Sequence, residues 1–269
     1  MKFRIQAAVF LVATLLTGTS FAQNGTQASV ETPRTAEGLP DLNGTWDNGS
    51  GIDFVRPQNI DGSICVTGCP QPESAPTPNA VRLPPDRPTY RPEFIEKVRD
   101  LELRQVEEDP VLRCSNPGLP RIGPPDKIVQ IPGQIVFLYD DVNGNYFRII
   151  HTDGRGYREG VEETYLGDSV GRWEGDTLVV ETVNLIDETW LTDDGSFHTA
   201  DLRVEERLTR TGDTLEWQAI SHDPAVLTEP WVQRPRIAHL TDLELVEAAP
   251  CIERDLPHMQ DLSHHDNPR

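Results

Sequence analysis

Several short segments put charged side chains where a strand pattern would bury them. Alternation through residues 201–210 sets Leu202, Val204, Glu206 and Leu208 on one face and Arg203, Glu205, Arg207 and Thr209 on the other. Glu206 then belongs to an apolar face, where a carboxylate must find a cation or take up a proton. Either condition suits a ligand anchor or a general acid or base. Residues 177–183 repeat the arrangement, with Glu181 between Val179 and Val183. In residues 146–152, Tyr146, Arg148 and Ile150 alternate with Phe147, Ile149 and His151, so either Arg148 or His151 faces the core. If these segments line one lumen, Glu206, Glu181 and Arg148 fix a bound molecule and a histidine moves protons. The competing reading is an ion-pair network that only closes the core. A one-residue slip in register would turn any of these groups to solvent.

His151 opens the run His151-Thr-Asp-Gly-Arg155, in which Asp153 and Arg155 stand at a strand end and form either a ligand-binding rim or a simple turn. His198 lies near Asp193, Asp194 and Asp201, where an orienting carboxylate would make it a proton shuttle and solvent would make it an ordinary surface histidine. Asp187, Asp193 and Asp194 lack the DxDxDG spacing and terminal glutamate of a calcium loop, so no metal site is expected. Cys65-x3-Cys69 has no second ligand pair behind it for zinc. The chain has no Gly-x-Ser-x-Gly elbow, Walker loop or GxGxxG fingerprint, and no cofactor is expected.

The elements that must position these groups are β-strands. Candidates are residues 42–46, 127–131, 134–139, 146–152, 169–173, 177–183, 201–210, 214–221 and 236–240, with turns at Pro132-Gly133, Asn143-Gly144-Asn145, Gly175-Asp176 and Gly212-Asp213. About nine strands in sequential hairpins predict an all-β fold, an antiparallel up-and-down barrel, with a β-sandwich as the alternative. Residues 56–92 are crowded with prolines and read as an irregular excursion. Pro92 to Asp109 reads as one amphipathic helix on the outside, with Phe94, Val98 and Leu101 at helical spacing and Pro110 as its stop.

The ends set the compartment. Lys2 and Arg4 precede an apolar run from Ala7 to Leu16 that is too short to span a bilayer, and Ser20 and Ala22 are small residues placed for cleavage before Gln23. A signal peptide over residues 1–22 predicts a periplasmic or secreted protein with no membrane insertion after cleavage. A flexible leader follows at 23–40, then one β domain at 41–247 containing the proline-rich and helical insertion at about 56–125, then a polar tail at 248–269. Cys65, Cys69, Cys114 and Cys251 are an even set for an oxidising compartment. Of the three possible connectivities, Cys65 with Cys69 and Cys114 with Cys251 is preferred. The net charge of −20, with basic residues scattered among carboxylates, argues against nucleic acid and anionic membrane surfaces as partners.

Two resemblances rest on particular residues. Gly44-x-Trp46 on the first strand resembles the Gly-x-Trp that opens lipocalin-like barrels, which implies an indole closing the barrel floor. Asp41 to Trp46, Cys114 to Arg121, Asp153 to Arg155, Glu206-Arg207, Asp223-Pro224 and the long run GDSVGRWEGDTLVVET from Gly167 to Thr182 are together similar to a family of exported bacterial proteins. That likeness implies a single domain starting near Asp41 and brings no activity with it. The sequence therefore reads as an exported barrel that binds a small, largely apolar molecule. The alternatives are a cofactor-independent acid/base enzyme (isomerase, lyase or hydrolase) in the same pocket and an envelope interaction module.

Overall fold

The structure is a computed structural model that describes residues 31–48, 87–247 and 251. The expected signal peptide, the Cys65 and Cys69 pairing and nearly all of the tail lie outside the described residues. Ten strands form one sheet: β1 (Gly44–Asp47), β2 (Lys127–Ile131), β3 (Gln134–Asp141), β4 (Gly144–His151), β5 (Asp168–Glu174), β6 (Thr177–Val183), β7 (Arg203–Thr211), β8 (Thr214–His222), β9 (Trp231–Val232) and β10 (Arg236–Thr241). They pair in chain order from β1 to β8. β10 then bonds both β8 and β1, closing a nine-strand barrel, and β9 continues the line of β10 along β8. Closure removes every long free edge.

The barrel is mixed rather than antiparallel throughout. β4 and β5 run parallel, with Ile150 opposite Ser169 and His151 opposite Val170. Strand patterns carry no direction. The connection over residues 152–167 is long enough to bring the chain back across the barrel, which a parallel neighbour requires and a two-residue hairpin cannot do.

Burial follows the pleat. β7 alternates half-buried and buried residues along most of its length, and its inner set of Val204, Glu206 and Leu208 meets Leu215, Trp217 and Ala219 of β8. Phe137, Tyr139, Ile150, Leu178 and Val180 complete the interior. At the hairpin end Trp46 closes the floor. Its indole donates to Leu42 O at 3.0 Å and the Arg210 guanidinium stands 5.1 Å from its ring centre. Gly44 is required beside it: φ is +144°, and a Cβ there would come within 2.4 Å of Leu240 Cδ1.

Residues 31–40, expected as flexible leader, are fixed under this floor as far as they are described. Arg34 pairs with Asp176 at 2.7 Å, and Thr32 Oγ1 donates to Arg210 O at 3.1 Å. Order thus begins ahead of Asp41, through contacts made with hairpins far along the chain.

The expected helix is divided. A 3-10 turn at Pro92–Phe94 leads into α1 (Ile95–Leu103), Arg104 interrupts, and α2 (Gln105–Glu108) ends before Pro110. Val98 is buried, and Phe94 and Leu101 pack on the core. Asp109 caps the next turn through Val111 N and clamps Arg121 with two contacts of 2.7 Å. Cys114 is bonded to Cys251, which ties this outer layer to the last described residue.

Candidate functional site

Two groups of charged side chains stand out, one inside the barrel and one at its mouth. Inside, Arg148 Nη2 lies 2.7 Å from Glu206 Oε2, and both side chains are almost wholly buried. Arg148 also donates to Tyr139 Oη (2.9 Å), Ser169 Oγ (3.0 Å) and Thr182 Oγ1 (2.8 Å), while Trp217 Nε1 donates to Glu206 Oε1 (3.0 Å). Six consecutive strands, β3 to β8, each supply one member. The network therefore braces two thirds of the barrel's nine strands and bridges the parallel β4–β5 pairing. Burial opposes the charge on Arg148, but Glu206 and Tyr139 outweigh it and hold the guanidinium firmly protonated. Burial pushes the Tyr139 hydroxyl above its ordinary range.

The other residues singled out from sequence do not converge on this pair. Glu181 does not face the lumen: the inner face of β6 is Leu178, Val180 and Thr182, and Glu181 lies outside against Arg172 (2.5 Å) and Arg203 (3.3 Å). The apolar outer residue Val179 is also buried, so hydrophobicity alone could not distinguish the two faces. His151 is on the outer, half-buried side of β4, opposite Gln134. Asp153 and Arg155 pair with each other at 2.6 Å on the exposed connection, and the Arg155 contacts draw the Asp153 carboxyl down to about 2.

His198 is buried, with Nε2 2.7 Å from Thr189 Oγ1 and Nδ1 2.9 Å from Thr199 O. Its ring partners are a hydroxyl and a carbonyl instead of the nearby aspartates, and burial holds its pKa below the usual value. Asp223, also buried, accepts from Thr199 N and Oγ1 and so fixes the loop that carries His198.

The second group surrounds an open cleft of about 620 Å3 at the end where β3 turns into β4. Here β1 pairs with β2 at two positions and with β10 at three. Trp46 and Tyr139 back the cleft but are almost wholly buried, so accessible apolar surface comes from Ile122, Leu243 and Leu245. Asp126 stands just before β2, and Asp140 and Asp141 at the end of β3. Asp126 accepts hydrogen bonds from Asp140 N (2.7 Å) and Asn48 Nδ2 (3.2 Å). Burial, aided by the charges of Asp140 and Asp141, pushes its carboxyl up to about 6. Asp141 is raised as well, first by burial.

Across the cleft, Arg236 begins β10 and Arg121 is held by Asp109. Arg236 faces the Trp217 ring at 5.8 Å and makes no ion pair among the described residues; the residue is exposed overall, and the partial shelter of its guanidinium lowers its pKa.

These cleft residues are not apparent in the sequence reading. Arg236 sits in a strand recognised only as a final candidate, and Asp126 follows Pro124-Pro125 in what reads as a turn. The one available signal was Asp140-Asp141 closing an otherwise apolar strand, a placement that puts two carboxylates at a barrel rim.

A second cleft of about 600 Å3, lined by His222, Arg203, Asp201 and Arg91, lies where β7 begins and β8 ends. Burial lowers the pKa of His222, and Arg203 beside it adds to the effect. Its arginines already have partners: Arg203 contacts Glu181, and Arg91 donates to Pro224 O at 2.7 Å. The mouth cleft therefore holds the more exceptional chemistry. Comparison of the chain with protein-family models, curated proteins and solved structures gives no match, so this assignment stands on geometry.

Proposed function

We propose that the protein is an exported barrel that binds a small molecule in the cleft at its mouth, against Trp46 and Tyr139. The observation that supports this reading is the concave space itself, in which Ile122, Leu243 and Leu245 stand beside charged groups of both signs and burial raises the Asp126 carboxyl. Concavity, apolar lining and perturbed ionisation together are the ordinary signature of a small-molecule site. The interior pair supports it from behind, because Tyr139 is shared between the cleft floor and the Arg148 network. Export rests on the amino-terminal residues, Lys2 to Ala22.

Asp126 also favours a second reading, acid/base catalysis in the same cleft, since a carboxyl near 6 is suited to exchanging protons at neutral pH. Native mass spectrometry of the mature chain purified from its own compartment, repeated after denaturation, tests binding. A stoichiometric small molecule that disappears in a Tyr139→Ala variant supports the cleft. A ligand retained by variants at Tyr139 and Arg236 places binding elsewhere. Turnover of such a ligand, abolished in Asp126→Asn while binding persists, would favour the enzyme.

A further inference from the structure

We infer that the cleft takes a zwitterion, an α-amino acid or similar molecule with an apolar side chain, whose ammonium faces Asp126 and Asp140 and whose carboxylate faces Arg236. This rests on the reading of the cleft as a binding site. The structural reason is that charges of both signs line one space without meeting. Among the described residues Asp126, Asp140 and Asp141 accept only amide hydrogen bonds, from Asn48, Asp140 N, Asn145 and Asn143 N. Arg236 lies against Gly123 and the Trp217 ring and has no carboxylate partner among the described residues. Elsewhere, arginines such as Arg34, Arg104, Arg121, Arg155, Arg172 and Arg207 have found carboxylates.

Sheet order explains the separation. β1 lies between β10, which carries Arg236, and β2, which follows Asp126. Register sets Asp126 level with Leu240, because both face Trp46, and Arg236 lies four residues further along β10, so the two backbones are offset along the barrel as well as across β1. An α-amino acid carries an ammonium and a carboxylate on one carbon and so offers each wall the opposite charge through charge-assisted hydrogen bonds. A simple cation would leave Arg236 unpaired, and a simple anion would leave the carboxylates crowded. Neither single charge answers both walls. Ile122, Leu243 and Leu245 then define the remaining preference, an apolar side chain.

Three matched probes test the inference: phenylalanine, 2-phenylethylamine, which lacks the carboxylate, and 3-phenylpropionate, which lacks the ammonium. Calorimetric titration of the full mature chain at neutral pH is expected to show phenylalanine binding about tenfold or more tighter than either. Arg236→Gln should reduce phenylalanine to the level of phenylethylamine and leave phenylethylamine unchanged. Asp140→Asn combined with Asp126→Asn should reduce it to the level of phenylpropionate.

Thermal unfolding of each variant verifies folding, and Arg236→Lys, which keeps the charge, should restore part of the affinity. If one single-charge probe binds as tightly as phenylalanine and the cleft variants weaken it, the cleft is a binding site but the zwitterion is wrong. If neither the three probes nor uncharged 2-phenylethanol perturbs the Trp46 or Tyr139 resonances, the binding-site reading falls and the inference with it.

Discussion

Arg148 with Glu206 and Arg236 with Asp126 are two answers to the same problem, a charge placed on a mostly apolar β-barrel. In the interior the opposite charges lie 2.7 Å apart and Tyr139, Ser169, Thr182 and Trp217 add hydrogen bonds to them, although Arg148 Nε has no acceptor among the described residues. At the mouth the charges share a cleft and stay apart. A charge pair neutralised by its own chain and sealed from solvent has little to offer a ligand, however suggestive its burial. Unpaired charge on a concave surface is what a partner can use. The interior set reads as architecture and the mouth set as recognition.

The largest expected effect breaks the interior side of this contrast. Glu206→Ala leaves the Arg148 guanidinium buried without a counter-charge and should destabilise the fold by about 3–5 kcal/mol in urea unfolding. Replacing both residues, Arg148→Met with Glu206→Leu, should recover most of that loss, because well-packed apolar groups often substitute for a buried pair. Ligand affinity at the mouth should survive in the double variant. If the double variant folds stably but no longer binds, the pair is part of the site and the contrast fails.

Much of the barrel was legible beforehand because period-two alternation and Gly-Asp or Pro-Gly turns are local signals. β2 and β6 have the predicted limits, and the other long strands begin or end within one or two residues of them. β9 is two residues long and too short to carry a pattern. The direction of β5 was not legible, because parallel pairing depends on where a long connection travels. The interior pair was half legible. Alternation singled out Glu206 and offered Arg148 or His151, whereas Glu181 was misdirected by buried Val179 on its own face. The cleft was hidden for a different reason. Its lining comes from β1, β3, β10 and the segments before β2 and after β10, and no single segment records that arrangement.

The next effect concerns the mouth. Asp126 titrates at about 6 in the folded chain and in the ordinary carboxylate range when unfolded. Between those values the folded chain retains a proton that the unfolded chain has released, so this group's contribution to stability falls as pH rises through roughly 4 to 6. Asp126→Asn keeps an acceptor for Asp140 N and removes the penalty. It should gain about 1 kcal/mol at pH 8, after allowance for solvent screening of a partly exposed group, and almost nothing at pH 4. A variant equally stabilised at both pH values would show that the gain has another origin.

Glu181 supplies a control of opposite sign. Burial opposes its charge, but Arg172 and Arg203 outweigh it and hold its carboxyl below the usual range. Its contribution is therefore present above the unfolded pKa and lost as pH falls through the lowered one. Glu181→Gln should cost about 0.5 kcal/mol at neutral pH and low salt, and less in about 1 M salt, as befits a partly exposed outer ladder. A loss of several kcal/mol, insensitive to salt, would mean that Glu181 belongs with the interior set.

The smallest stability effect is the most informative about the contrast. Arg236→Ala removes a guanidinium whose pKa is depressed by burial and which has no carboxylate to release. The cation–π contact with Trp217 is long at 5.8 Å, so little is lost, and relief of desolvation offsets part of that. Unfolding free energy should change by less than about 0.5 kcal/mol, the range of an ordinary surface substitution. Binding of a zwitterionic probe should nevertheless fall by about tenfold, the value of one charge-assisted contact. A residue that matters to the ligand and not to the fold is what an unpaired charge at a cleft should be. If Arg236→Ala instead unfolds the barrel as Glu206→Ala does, its role is structural, and the two regions are one network seen from opposite ends.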